Sequence, residues 1–277
     1  MGRFWSLLFL MVPVFGVGSF VWAMAGWWPM AGHWLPENIN THGAVIDNLF
    51  LFILVLTGVI FVATSLALFW FLWKYDAAQN PQPATFTHGS HTLEVVWSIL
   101  PAATLVFIAI YQMDAWADAK MRRPTLPGGQ LKPPIAEITG RQFEWRIRYA
   151  HTKGKDWKAG DSYEFGKDDV FIVNDLHLPQ NEEIVLAIKS MDVLHSFFLP
   201  NLRVKQDVVP GMKQYVWFQA NKSGVYDIVC AELCGWGHYK MRGRLTVEPR
   251  DTYDAWLAQQ SAEQNRAGFT PSPGAAE

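Results

Sequence analysis

The chain has 277 residues with 23 basic and 25 acidic side chains, a net charge of −2, and this near-neutral balance excludes the basic surface of a nucleic-acid-binding domain. Half of it is hydrophobic and 17% is charged, but the charge is unevenly placed. Only Arg3, Lys74, Glu37, Asp47, Asp76, Glu94 and Asp114 precede residue 117, whereas the remainder holds 21 basic and 20 acidic residues, the balance of an ordinary soluble domain. The length suits a membrane part followed by one globular part.

From Phe4 to Pro36 there is no charged residue, and Phe4 to Ala25 is apolar. Ala23-Met24-Ala25 resembles a signal-peptidase site, so residues 1–25 are either a signal peptide or an additional transmembrane helix. Asn48 to Trp73 gives 26 uncharged residues, about 39 Å of helix and enough to cross a bilayer with tilt. Val95 to Met113 gives 19, about 28 Å, which just suffices. Both are apolar all round, where a soluble core helix would show a polar face. Residues 41–116 therefore read as a two-helix transmembrane hairpin. Two spans after a cleaved signal, or three spans from an inside N-terminus, both leave the C-terminal part outside. Arg3 and Lys74 then fall on the inner side, as the positive-inside rule asks.

Residues 117–250 read as all-β. Within Arg141 to Tyr149 polar and apolar residues alternate from Gln142 onward, the period of a half-buried strand. Val170–Val173, Glu183–Ile188, Gln214–Phe218, Val225–Val229 and Arg244–Val247 are further β-branched and aromatic runs, separated by Pro179, Pro210-Gly211, Asn221 and Gly224. Short strands between turn signals predict a sandwich or barrel. A short helix is expected near Tyr253–Gln260, within residues 251–277, followed by a small-residue, Pro-rich tail with the composition of a disordered segment.

Cys230 and Cys234, the only cysteines, begin a twelve-residue stretch that also holds His238 and Met241. Thiolate, imidazole and thioether together favour a soft metal, and the thioether argues against zinc. An iron–sulfur cluster would need four cysteines, or two with two histidines. Cys, His and Met on the loop before a last strand, with His195 upstream, form a cupredoxin arrangement. Two thiolates can bridge two coppers, with His195 and His238 each completing one. Taken singly, each residue has a plainer reading: a buried Met packs, a lone His is structural, a Cys pair outside the cytoplasm forms a disulfide. A copper centre accounts for all of them at once.

Residues 230–241 fit C-x-E-x-C-x-x-x-H-x-x-M at every position, and on that motif the chain resembles subunit II of haem–copper cytochrome c oxidases. Asp192 to Ser196, Leu202 to Gly211 (with Lys205, Asp207, Pro210 and Gly211) and Glu94 to Pro101 continue the likeness, which covers most of residues 41–250. The resemblance implies a membrane helical hairpin followed by a cupredoxin-like domain carrying a binuclear copper site, CuA. It implies that Cys230 and Cys234 bridge both coppers, that His195 and Met241 complete one, and that His238 and the Glu232 carbonyl complete the other. It further implies that the Glu232 carboxylate reaches a Mg²⁺ shared with subunit I, and that Glu94 lies near a proton path into that subunit. Electrons would pass from cytochrome c through the copper pair to haem in subunit I, where O₂ is reduced to water. The expected location is the bacterial inner membrane, with the C-terminal domain on the periplasmic face.

Two departures stand out. Phe143 occupies the place of the family's usual electron-entry tryptophan, so Phe143 or Trp145 is expected to serve as the entry point. Met191 stands where relatives with an acidic docking face carry Glu, and with the soluble part near neutral this predicts a donor interaction only weakly sensitive to salt. The competing readings are a CuA subunit of a nitric oxide reductase, a quinol oxidase subunit lacking the copper ligands, a thioredoxin-fold copper chaperone and a plain anchor. The full ligand set disfavours the last three. No C-x-x-C-H is present, so no fused cytochrome c domain is expected.

Overall fold

A computed structural model of the chain describes residues 2–32, 34–83, 86–150 and 169–268. It divides into two compact units, one of residues 1–36 and 47–114, the other of residues 37–46 and 115–277.

The first unit is helical. Helices α1 (Gly2–Ala25), α2 (Gly43–Lys74) and α3 (His91–Tyr111) are each long and apolar enough to span a bilayer. Their outward faces carry Leu, Val, Phe and Trp, as lipid contact demands. α1 runs antiparallel to α2. The Ser6 hydroxyl donates to the Phe69 carbonyl at 3.0 Å, and the Arg3 guanidinium lies 4.7 Å from the Trp73 ring centre. Arg3 and Lys74 thus share one end of the bundle, in accord with the positive-inside reading. Phe52 meets Phe107 and Tyr111, which pairs α2 with α3. Ser90 caps α3 through the Leu93 N–H, and Glu94 sits in its first turn, where a negative charge suits the helix dipole.

The second unit is a β-sandwich led by a short helix, α4 (Met113–Lys120), absent from the sequence expectation. One sheet orders its strands β3 (Val170–Val173), β2 (Glu144–Tyr149), β1 (Ala136–Arg141), β5 (Glu183–Ser190), β8 (Gln214–Gln219). The other orders β4 (Asp175–Pro179), β10 (Arg242–Glu248), β9 (Gly224–Cys230), β6 (His195–Leu199), β7 (Val204–Val208). The β1–β5 and β4–β10 pairs are parallel and all other named pairs antiparallel. Between the sheets lie Ile138, Trp145, Ile147, Leu176, Leu186 and Phe197, all essentially without solvent contact. Burying each aliphatic or phenyl side chain among them contributes about 1.5–3 kcal/mol. Ile39 is drawn into the same core. Its N–H donates to the Asn201 carbonyl at 2.9 Å, and its carbonyl accepts from Asn221 at 2.8 Å. The chain ahead of α2 is thereby tied into the sandwich.

The predicted strand Arg141–Tyr149 is instead the end of β1, a two-residue turn at 142–143 and β2, with Arg141 opposite Glu144. Alternation continues across so short a turn, so periodicity alone does not reveal it. The last helix, α5 (Arg250–Arg266), is longer than Tyr253–Gln260. It docks through Tyr253, and through Trp256 stacked on His177 with ring centres 3.8 Å apart. The tail from residue 269 lies outside the described residues.

Candidate metal centre

Four chain segments meet at one end of the sandwich. β6 opens with His195, which has no solvent exposure. β9 ends at Cys230, and Phe197, two residues after His195 on the same face, pairs with Cys230. From there the chain curls through successive tight turns: the His238 N–H to the Gly235 carbonyl, Lys240 to Gly237, and Met241 to His238. Gly235, at φ +135°, takes a conformation that side-chain-bearing residues avoid. The curl turns Cys234, His238 and Met241 to one side, and the Cys230 N–H closes it by donating to the Met241 carbonyl at 3.2 Å.

The result is a tight group of soft donors. The Cys230 and Cys234 sulfurs are 3.9 Å apart, nearly twice the ~2.05 Å of a disulfide. His195 Nδ1 lies 3.9 Å from the Cys230 sulfur. His238 Nδ1 lies 3.7 Å from the Cys234 sulfur, and the Met241 sulfur lies 3.7 Å from it. The Glu232 carbonyl is 3.3 Å from Cys230 Sγ. His195, Cys230 and Cys234 alone bring their donor atoms within 4.8 Å of one another. The six positions named from sequence are therefore adjacent. The Glu232 carboxylate accepts from the Leu233 N–H at 3.2 Å.

The electrostatics suit a cation. Burial raises both thiols. Hydrogen bonds from His195 and from the backbone around Ser196 and Glu232 outweigh it at Cys230, bringing that thiol down to about 6. Cys234 is pushed up to about 12 by burial and by the charge on Cys230. The pair parts with one proton readily and holds the second until positive charge arrives. Burial would lower His195, but Cys230 and Asp192 overcome this and raise it.

Asp192 was not assigned a role from sequence. Its carboxylate accepts from His195 Nε2 at 2.8 Å, from the Gln142 N–H at 2.8 Å and from the Val193 N–H at 2.7 Å. Burial would raise its pKa, but these bonds lower it below the usual carboxylate range. With the Nε2 proton held by Asp192, Nδ1 is the nitrogen of His195 that faces the sulfurs and is free to exchange its proton for a metal, the arrangement that carboxylates behind metal-binding histidines impose. Gly140 completes the wall. A Cβ there would lie 3.0 Å from His195 Cδ2 and 3.2 Å from Trp145 Cζ3, too close for either ring to stay in place.

Of the two residues expected at the electron entry, Trp145 is fully buried, edge-on to His195 and Phe197. Phe143 is half-buried beneath Trp236. Glu94, in the helical unit, is exposed with His91 3.8 Å away.

Comparison with known proteins places this geometry. A β-sandwich with a soft donor set on the loop before its last strand, preceded by apolar helices, defines a membrane-anchored cupredoxin-like protein. Residues 136–247 match the model for cytochrome c oxidase subunit II, periplasmic domain, and residues 34–114 match that for its transmembrane domain. The chain is 30% identical to the alternative cytochrome c oxidase subunit 2 of Bradyrhizobium diazoefficiens, over 94% of each chain. It is 28% identical to cytochrome c oxidase subunit 2 of Cereibacter sphaeroides, over 75% of this chain and 73% of that one. The solved periplasmic domain of subunit II of the Bradyrhizobium japonicum cytochrome oxidase is 24% identical, covering 46% of this chain and 93% of that one, with a TM-score of 0.39. The chain belongs to the cytochrome c oxidase subunit II family, a family of copper-binding oxidase subunits.

Proposed function

We propose that this chain is the electron-entry subunit of a respiratory cytochrome c oxidase in a bacterial inner membrane, with its β-domain on the periplasmic face. The observation that carries this reading is the convergence of His195, Cys230, Cys234, His238, Met241 and the Glu232 carbonyl on one thiol pair. The donor set fits two copper ions, which when bound accept and release one electron between them. Cys230 and Cys234, which lie between the two histidines, would hold both ions, with His195 and Met241 completing one and His238 and the Glu232 carbonyl the other. Asp192 orients His195, and the sandwich holds His195 and Cys230 on β-strand ends and His238 and Met241 in tight turns. A preorganised shell of this kind keeps the geometry nearly unchanged when an electron arrives, which suits fast transfer.

Cytochrome c is the proposed donor and haem in subunit I the acceptor, where O₂ is reduced in a proton-translocating complex. The Glu232 carboxylate is assigned to a Mg²⁺ shared with subunit I, and Glu94 to the mouth of a proton path.

The test is copper loading of the full chain in detergent, followed by metal analysis and electron paramagnetic resonance. Two coppers per chain, with hyperfine splitting from two nuclei sharing one unpaired electron, is the expected result. A single-copper signal, or none, would sink the reading.

A further inference from the structure

The loop between the two cysteines and Met241 sorts its side chains by direction. Cys234, His238 and Met241 turn inward. Leu233, Trp236 and Tyr239 turn outward and are 74%, 81% and 71% exposed. Three large apolar side chains bare to water in one short loop form a patch of the kind that marks a partner surface. The flanks continue it: Met191 and Leu194 are exposed on either side of Asp192, whose N–H and carboxylate are held by Ser190, Gln142 and His195. Charge is nearly absent. Between Cys230 and Met241 only Glu232 and Lys240 are charged, and they cancel.

Trp236 is fixed to the donor group beneath it. Its ring meets Phe143 edge-on, with centroids 5.2 Å apart and planes at 68°. The Phe143 ring lies flush against the loop backbone, so that a Cβ on Gly237 would be 2.6 Å from Phe143 Cδ2. The neighbouring Gln142 side chain donates to the Cys234 carbonyl at 2.5 Å. Trp236 is itself two residues from Cys234 and two from His238. A partner approaching this end of the sandwich meets Trp236 before Phe143, and cannot meet Trp145, which has no exposed surface.

We propose that Trp236, braced by Phe143, is the residue through which a one-electron donor protein delivers its electron, and that Leu233, Trp236 and Tyr239 dock an apolar, weakly charged rim around the donor's redox group. This rests on the copper reading above. In the transfer the donor is oxidised by one electron and the copper pair is reduced by one. No bond forms or breaks and no proton moves; the indole is the medium and ends unchanged. A donor that docks through a ring of lysines would meet, on this loop, a single acid, Glu232, offset by Lys240. One with an uncharged rim around an exposed haem edge matches both the apolar patch and its lack of net charge.

The experiment uses the intact oxidase carrying Trp236→Ala, Trp236→Leu or Trp236→Phe, with two probes: a lysine-rich monohaem cytochrome c and a near-neutral one. Binding is read by titration calorimetry with oxidised cytochrome, and electron delivery by stopped flow with reduced cytochrome. Copper resonance and reduction by a small uncharged dye, which needs no docking, are the controls. With the near-neutral cytochrome, Trp236→Ala is expected to weaken binding about tenfold or more, as for a central interface tryptophan. Trp236→Leu should keep much of the binding and lose the rate, and Trp236→Phe should recover both. Wild-type binding should change less than about twofold between about 20 and 200 mM salt. The proposal is overturned if Trp236→Ala leaves binding and rate within twofold of wild type, or if the lysine-rich cytochrome binds more tightly with a steep salt dependence. Should Trp236→Ala disturb the copper signal, the Leu variant decides by the same criteria. Absence of the two-copper signal from wild type would instead mark failure of the underlying copper reading.

Discussion

Replacing Asp192 by Asn is expected to loosen the metal more than it destabilises the fold. The carboxylate accepts three hydrogen bonds, from His195 Nε2, the Gln142 N–H and the Val193 N–H, at 2.7–2.8 Å. An amide keeps one oxygen. If that oxygen stays with His195 and Val193, both bonds drop from charge-assisted to neutral, roughly halving their strength. The amide nitrogen then faces the Gln142 N–H, donor against donor. Leaving that N–H unpaired costs about 1–3 kcal/mol when buried, and Gln142 is exposed, so the lower end applies. Metal-free stability should fall by about 1–2 kcal/mol. The effect on copper is larger in kind, because the His195 proton is no longer pinned on Nε2 and the ring can present N–H to the sulfurs. Loss of a carboxylate that hydrogen-bonds a metal-binding histidine from behind costs about 10–100-fold in metal affinity. Chelator competition on the full chain measures the affinity, and thermal unfolding of the metal-free protein measures the stability. An Asp192→Asn protein that binds copper within twofold of wild type, with an unchanged resonance spectrum, would refute the claim that this carboxylate sets the histidine tautomer.

Gly140→Ala should cost about 1–3 kcal/mol by overpacking, since the new methyl meets His195 and Trp145, and should shift the copper absorption bands; unchanged unfolding and bands would contradict the close approach. Cys234→Ser removes the sulfur adjacent to Cys230, His238 and Met241, and metal analysis should fall from two coppers per chain to one or none. Asp175 offers a pH test. Burial would raise it, but hydrogen bonds and charge from Arg244 and His177 lower it. Its folded pKa is below its unfolded value, so its stabilisation is present above the ordinary Asp pKa and lost as pH falls through the folded one. Arg244→Gln should therefore make acid unfolding begin at higher pH, by a small shift because solvent screens the pair. An unshifted acid limb would show the pair to be energetically silent.

The apolar helices and the donor loop were plain in the sequence because each is a local signal. An uncharged stretch such as Asn48–Trp73 needs no partner to be recognised, and Cys230 to Met241 brings four donors into one short segment. The strands were less evenly legible. β5, β8, β9 and β10 carry β-branched and aromatic runs that declare themselves. β4 ends in Pro179, which reads as a breaker yet is tolerated at the end of an edge strand. β7, Val204–Val208, is polar at alternate positions because it too lies at an edge. Asp192 and Gly140 could not be assigned from sequence, because their roles arise where β1, β5 and β6 come together in space, far apart along the chain. Trp236 was hidden for another reason. Only the fold shows that its ring faces water over Phe143 while its neighbours face the sulfurs.

The donors sit where the Cys230–Met241 loop is anchored or turns inward, and the outward positions between them bear no structural duty toward the sulfurs. Residues 233 and 239 can therefore change identity with little effect on the donors, while residue 236 reaches them only through Phe143. One short peptide thus divides two tasks: donor chemistry on its inner side and a contact surface on its outer side. If the outer side meets an electron carrier as proposed, a change of carrier would call for substitutions there and leave the donors beneath in place.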